Sequence, residues 1–256
     1  MEPTTSYHKP QTTQLDEGQI WVKACHNATR KLLAFLLSRN NQKKLHITTT
    51  ELKLSSGDPL DYGPRFVEPF SHEKMREYHN ARHVIGVLHC TLDNFFDGDA
   101  PDRLADEDND LGSIYRSQCQ WKLEGWTNAK NISQPHINAY IGDSQPLRVD
   151  RLNSGEVSLS YGLIAKRRIQ DGYNDHRYIP ITVFSMSDFQ VRILQIWHDK
   201  QNPKALQVRS SPIMDFKDGV QNNLDDWVTI LCWMVGKPVG DTKNGTEIVQ
   251  VIEQDA

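Results

Sequence analysis

The sequence predicts an α+β fold: a mainly antiparallel or mixed sheet of about six strands, with two long N-terminal helices and one C-terminal helix. Apolar residues of the first hundred positions recur at helical spacing, whereas the chain after residue 135 contains short β-rich runs separated by turn-forming residues. These strands cluster in the chain instead of alternating with helices, which favours α+β over a doubly wound α/β sheet. The composition, 38% apolar and 24% charged, is that of a globular chain.

The N-terminal part predicts two helices and a strand. The first helix begins at Asp16, a good N-cap residue, and extends to about Arg39; Ser71 caps a second helix that extends to about Phe96. Between them, residues 44–54 alternate and are rich in Thr and Leu, which predicts a strand.

The β-rich half predicts six strands and a last helix. The helix covers residues 225–235, with Gly236 and Pro238 as stop signals, and a closing strand is expected at 245–253. The six β-rich runs are residues 136–142, 147–152, 156–169, 178–186, 191–199 and 205–211.

These elements predict a single domain. Residues 1–15 are polar and rich in Thr and Gln, so we expect a flexible tail, followed by one α+β domain over 16–256. Within it, residues 97–113 carry seven acidic side chains in seventeen positions, which predicts a solvated acidic loop.

Charge and composition disfavour several classes of function. The formal net charge is −4 and the pI about 6.2, so no overall field attracts nucleic acid or an anionic membrane. Four scattered cysteines without a CxxC argue against a thiolate zinc site. The chain has no apolar run of membrane-spanning length, no signal-peptide pattern and no nucleotide-binding glycine motif. We therefore expect a cytoplasmic protein without a cofactor, and a small molecule as its partner sooner than nucleic acid.

The second helix carries an HxxxH pattern, His79 and His83, which places two imidazoles on one side of a helix. Imidazole nitrogens suit zinc and related ions, but a metal site needs ligands from elsewhere. The segment YHNARHVIGV resembles the YHNxxHxxxV signature of class I cyclic nucleotide phosphodiesterases, which implies His79 as proton donor and His83 as metal ligand. Gly86 stands where that family has an acidic residue, and no HDxxH helix follows. We therefore expect no metal, with these two histidines as the ligands if one is present.

The strand-rich half resembles the αβββαβ core of PD-(D/E)XK nuclease-like domains, from PHINAYI through LSYGLIAKRR to the last helix. The family's magnesium-binding Asp and Glu and its Lys fall on His136, Ile164 and Lys166. Two of the three differ from the family, so the resemblance implies a domain that has lost metal-dependent cleavage. Residues 179–216 and 227–242 also resemble uncharacterised proteins of filamentous fungi.

Several side chains are candidates for a binding or catalytic site. His198 ends a predicted strand, where alternation puts it opposite Trp197, and it is an acid–base candidate together with His79. The side chains expected to line an aromatic pocket are Trp121, Trp126, Tyr140, Tyr161 and Arg148. The basic run at 166–168 is a candidate phosphate-binding surface or a charged strand edge.

Three hypotheses of function follow. The first is a cofactor-independent small-molecule enzyme or binder with an aromatic-lined pocket, acting in fungal specialised metabolism. The second is a catalytically degenerate nuclease-like fold that acts as an interaction module. The third is a metal-dependent phosphoesterase that uses His79 and His83. Absence of a cofactor motif, the acidic pI and the aromatic content favour the first.

Overall fold

The structure is a computed structural model that describes residues 15–30, 36–58, 61, 63–80 and 121–244. Its helices are α1 (Glu17–Arg30), α2 (Arg39–Lys44), α3 (His72–Asn80), α4 (Ser154–Ile169) and α5 (Leu224–Met234), with a 3₁₀ turn at Val220–Asn223. Its strands are β1 (Ile47–Glu51), β2 (Val67–Glu68), β3 (Trp121–Asn128), β4 (Ile137–Asp143), β5 (Tyr178–Ser187), β6 (Gln190–Asp199), β7 (Leu206–Ser210), β8 (Met214–Asp215) and β9 (Lys237–Pro238).

Seven strands form one mixed sheet, which confirms the α+β prediction. Their spatial order is β1, β7, β6, β5, β4, β3, and β8 pairs with the start of β6. The β1–β7 and β4–β5 pairs are parallel, and the remaining pairs of this sheet are antiparallel. Parallel neighbours need a long crossover, and α4 is the crossover between β4 and β5. β2 and β9 form a separate two-stranded sheet.

Helices cover both faces of the sheet. On one side, which we call the α4 face, α1 and α4 pack on alternate strand residues such as Ile181 and Ile196. On the other, the α5 face, α5 packs on residues such as Phe184 and Trp197. Burial on both faces explains why β5 and β6 are almost continuously apolar in sequence.

A partly buried ion pair attaches the loop before β2 to the α5 face. Arg209 of β7 is completely buried, and its guanidinium donates to both carboxylate oxygens of Asp61 at 2.7–3.1 Å, to Pro64 O and to Gln195 Oε1. Burial by itself raises the pKa of Asp61, but the hydrogen bonds and charge of Arg209 outweigh it, so the pKa lies below its ordinary value. The loop is thereby held by charge-assisted hydrogen bonds.

One predicted strand is wrong: residues 156–169 belong to α4. Apolar residues alternate with small ones there, which is typical of a strand, but every position from Ser154 to Ile164 is buried. A helix buried on all sides shows no clear 3.6-residue period. Helix signals were nevertheless present, since Asn153 and Glu156 have capping-box spacing and three basic residues occupy the last turn.

Two other boundaries also differ. Residues 147–152 form a loop with one isolated bridge between Arg148 and Arg151, and are not a strand. The first helix ends at Arg30 in the described chain; Leu36 bridges to Asn153, and a separate helix begins after Ser38, whose side chain caps it. The predicted strands at 136–142, 178–186, 191–199 and 205–211 and the last helix are confirmed.

The remaining sequence predictions fall partly outside the described residues. The tail at 1–14, most of the second helix after Asn80, the acidic loop at 97–113 and the strand at 245–253 lie there. Within the described chain, no helix combines the length and the hydropathy needed to span a bilayer.

Candidate functional site

The predicted HxxxH metal pair falls at the edge of the described chain. His79 lies on α3, of which only the backbone is described at that position, and His83 lies outside the described residues. In the part of the chain that the structure describes, no three His, Cys, Asp or Glu side chains come together as metal ligands. The metal hypothesis for these two histidines therefore stays a sequence prediction.

His198 is buried on the α4 face, opposite Trp197, as its alternation predicted. Arg168 Nη2 donates to its Nδ1 at 3.2 Å, and its Nε2 therefore carries the proton and donates to Pro203 O at 3.0 Å. Burial, with the charge of Arg168, lowers the pKa of His198 to about 4. Both ring nitrogens are used within the fold, so we assign His198 a structural role.

The five predicted pocket residues do not converge on one place. Tyr161 faces α1 in the core and donates its hydroxyl proton to Leu45 O at 3.1 Å. Tyr140 lies on the opposite face of the sheet, stacked on Phe184 at a ring distance of 5.2 Å. Trp126 packs on the α4 face under the Lys166 ammonium. Only the remaining two, Trp121 and Arg148, lie at the end of the sheet described below.

The basic run at 166–168 is used mainly inside the molecule. The guanidinium of Arg168 is buried and donates to Arg177 O at 2.7 Å and His198 O at 3.1 Å. Arg167 is buried as well and lies over the ring of Tyr173. Arg177 forms a bidentate ion pair with Asp199, with both hydrogen bonds at 3.0 Å. These arginines are therefore not a free phosphate-binding surface.

The structure differs from the one that the resemblance to nuclease-like domains implied. Ile164 and Lys166, which it placed on a strand, lie on α4. His136 directly precedes β4, where its Nε2 lies 3.2 Å from Val239 O, and burial lowers its pKa to about 4. The three positions thus do not form one group at a strand end.

A different polar cluster lies where β4 and β5 end beside the first turn of α4. Parallel strands bring their carboxyl ends to the same edge, and the register Gly142↔Met186 puts Asp143 and Ser187 next at that edge. Ser185 pairs with Arg192 and Ser187 with Gln190 across the β5–β6 hairpin. Because cross-strand partners share a face, both serines lie on the α4 face.

A completely buried ion pair forms the floor of this cluster. Arg192 Nε donates to Glu156 Oε1 at 2.7 Å, and Arg192 Nη2 donates to Glu156 Oε2. Arg192 Nη1 also donates to Arg148 O and Arg151 O, at 2.8 and 2.9 Å, and thereby holds the loop between β4 and α4. Glu156 Oε2 accepts from Asn153 N at 2.7 Å, which caps the helix.

Asp143 is half-buried at the rim of the cluster. Burial raises its pKa, and Glu156 raises it further, which outweighs the hydrogen bonds from Gln145 N and Asn153 and the charge of Arg192. Its partner across the strands is Trp121, on the edge strand β3. The indole of Trp121 packs on the helix start: a Cβ at Gly155 would lie 2.5 Å from its Cγ.

Two buried hydroxyls of the cluster have no hydrogen-bond partner within the described chain. These are Ser185 Oγ and Ser187 Oγ, in residues that are 0% and 2% exposed. Buried hydroxyls are normally paired, because an unpaired one costs roughly 1–3 kcal/mol. A carboxyl with a raised pKa, an indole and two unpaired hydroxyls therefore lie together at one end of the sheet.

Sequence reasoning missed most of this cluster. It singled out Trp121 and Arg148, but not Asp143, Ser185 or Ser187. The missed signal was the helix at 154–169: with it, the segment from β4 to β5 is a strand–helix–strand unit, whose carboxyl end is the usual place for a ligand.

Comparison with known proteins leaves the cluster without a precedent to interpret it: no family model, curated protein or solved structure matches this chain.

Proposed function

We propose that this protein is a cofactor-independent enzyme or binder of a small molecule, and that its site lies at the carboxyl ends of β4 and β5. The observation that carries the proposal is the pair of unpaired, buried hydroxyls of Ser185 and Ser187 beside Asp143. Functional sites are the usual place for polar groups that the fold itself leaves unsatisfied.

The chemistry of the cluster fits such a role. Each serine hydroxyl can donate and accept a hydrogen bond, and both are held on a rigid central strand. The raised pKa of the Asp143 carboxyl makes it a better proton carrier than a freely exposed aspartate. The apolar indole of Trp121 adds a flat contact surface.

The position also fits the general behaviour of sheets with parallel strands, in which ligands bind outside the carboxyl ends of the strands. The ion pair between Glu156 and Arg192 is fully committed to holding the helix and the loop, so it supports the site without contacting a ligand. Of the aromatic side chains that the sequence predicted to line a pocket, Trp121 is the one that lies at the proposed site.

The test combines ligand binding with stability. A fragment library is screened by ligand-observed NMR against wild type, Ser185→Ala, Ser187→Ala and Asp143→Asn, with Ser133→Ala in the exposed turn between β3 and β4 as the matched control. We expect to find fragments that bind wild type and Ser133→Ala with the same affinity. The same fragments should bind the three site variants at least tenfold more weakly (about 1.4 kcal/mol).

The stability of the unliganded variants separates a binding role from a structural one. Removing an unpaired hydroxyl leaves nothing unsatisfied, so Ser185→Ala and Ser187→Ala should be as stable as wild type or up to about 1 kcal/mol more stable. Removing a hydroxyl that is bonded within the fold would cost about 1 kcal/mol instead. If both serine variants are destabilised and the same fragments bind all five proteins, the proposal fails.

A further inference from the structure

The charges around the proposed site say which ligands it can accept. Glu156 and Arg192 neutralise each other, both being completely buried and joined by two hydrogen bonds. Asp143, in contrast, forms no ion pair within 4 Å among the described residues of the cluster. A negatively charged ligand would face this carboxyl without compensation.

The start of α4 also does not offer an anion site. Helix N-termini commonly bind phosphates through free backbone N–H groups and the positive end of the helix dipole. Here the carboxylate of Glu156 already lies in the first turn and accepts from Asn153 N at 2.7 Å. Glu156 therefore already supplies the negative group that the start of a helix favours.

The remaining groups favour a ligand that donates hydrogen bonds and carries positive charge. Carboxylate oxygens of Asp143 only accept when ionised, and the hydroxyls of Ser185 and Ser187 can accept as well. Trp121 lies directly across from Asp143 on the neighbouring strand, and an indole is the aromatic group that attracts cations best. A carboxylate and an indole side by side thus form a suitable pair for a protonated nitrogen.

We propose that the site at the ends of β4 and β5 takes a small organic cation, an ammonium or amidinium, held between Asp143 and Trp121 with Ser185 and Ser187 as hydrogen-bond acceptors. The proposal rests on the proposed function, because it assigns the ligand class of that same site. The carboxylate of Asp143 disfavours phosphate-bearing and carboxylate ligands at the same position.

The test uses three probes with one molecular frame and three charges: benzylamine, benzyl alcohol and benzoate. Each is titrated into the ¹⁵N-labelled full chain at pH 7, and binding is followed at the indole N–H signal of Trp121, assigned by its loss in Trp121→Phe. We expect benzylamine to bind at least tenfold more tightly than benzyl alcohol (about 1.4 kcal/mol), and benzoate not to bind. Added salt should weaken benzylamine binding alone.

Two variants identify the origin of the preference. Asp143→Asn removes the charge and keeps the shape, so benzylamine and benzyl alcohol should then bind about equally. Ser187→Ala removes a hydroxyl and keeps the charge, so both probes should weaken while the preference for benzylamine remains. Far-UV circular dichroism and urea unfolding of each variant establish that it is folded.

The outcomes separate the two proposals. If benzyl alcohol binds as tightly as benzylamine, or benzoate binds most tightly, the cation inference is overturned, whereas the proposed site stands because ligands occupy it. The cation inference is also overturned if Asp143→Asn keeps the full preference. If no probe moves the Trp121 signal and the fragment screen finds no ligand sensitive to the site variants, both proposals fall.

Discussion

Replacing Glu156 by Gln should be among the most destabilising single changes in this protein. The side chains of Glu156 and Arg192 are 0% and 1% exposed, and both carboxylate oxygens accept from the guanidinium. Gln is nearly isosteric, but it turns one acceptor into an NH₂ group that faces an N–H donor. The guanidinium charge then stays buried without a counter-charge.

The expected loss follows from that geometry. Hydrogen bonds to charged groups contribute roughly 1.5–3 kcal/mol each, and breaking a buried ion pair by removing one partner costs about 3–5 kcal/mol. Against a typical stability of about 5–15 kcal/mol, this is roughly a fifth or more of the total. The melting temperature should fall by roughly 10 °C, at about 2–4 °C per kcal/mol for a chain of this size.

The assay is urea unfolding at pH 7, followed by tryptophan fluorescence and far-UV circular dichroism. The matched control is Glu17→Gln, because Glu17 pairs with Lys204 at 2.6 Å while their side chains are 66% and 60% exposed. An exposed pair contributes about 0–1 kcal/mol and weakens with salt, whereas the buried pair should be insensitive to 0.5 M NaCl. If Glu156→Gln loses no more than the control, the buried pair does not hold the loop and helix as argued.

Three further predictions concern other parts of the fold. Burial lowers the pKa values of His136 and His198 to about 4, so between pH 6.5 and 4 the unfolded chain binds more protons than the folded chain. The free energy of unfolding should therefore decrease as the pH falls through this window, by about 3 kcal/mol for each histidine. A urea midpoint that stays constant from pH 7 to pH 4 would contradict this. Asp61→Asn leaves the buried Arg209 without its counter-charge and should cost about 2 kcal/mol or more in urea unfolding; a variant as stable as wild type would refute the role of this pair. Gly155→Ala places a Cβ 2.5 Å from an indole ring atom and should cost about 1–3 kcal/mol by overpacking, whereas a gain in stability would show that the indole can move away.

The central strands were predictable because the residues of each strand and of its flanking turns already indicate a strand. Runs such as 178–186 and 191–199 consist of β-branched and aromatic residues bounded by turn residues, and burial on both faces agrees with that composition. Alternation also placed His198 and Trp197 on opposite faces. The burial of His198 depends on Arg168 and Pro203, and a strand pattern gives no information about such distant partners.

Helix α4 shows where local pattern fails. Between its charged ends, residues 157–165 are small or apolar on every side because α1, the sheet and Trp121 surround the helix. This stretch therefore lacks a polar face from which a helical period could be recognised. Misreading this one element as a strand removed the crossover and, with it, the parallel pairing of β4 and β5. That pairing is what brings Asp143 and Ser187 to one edge.

The sequence by itself determined the fold class, the central strands, the last helix and the lack of a strong overall charge, because these depend on composition and on spacing between near neighbours. Only the tertiary structure decided which polar groups are satisfied. The five predicted pocket residues separated to two faces and two ends of the sheet, whereas Asp143, Ser185 and Ser187 came together with Trp121. Whether a buried hydroxyl is paired depends on groups far apart in the chain, and so it is settled only when the strands and α4 pack together.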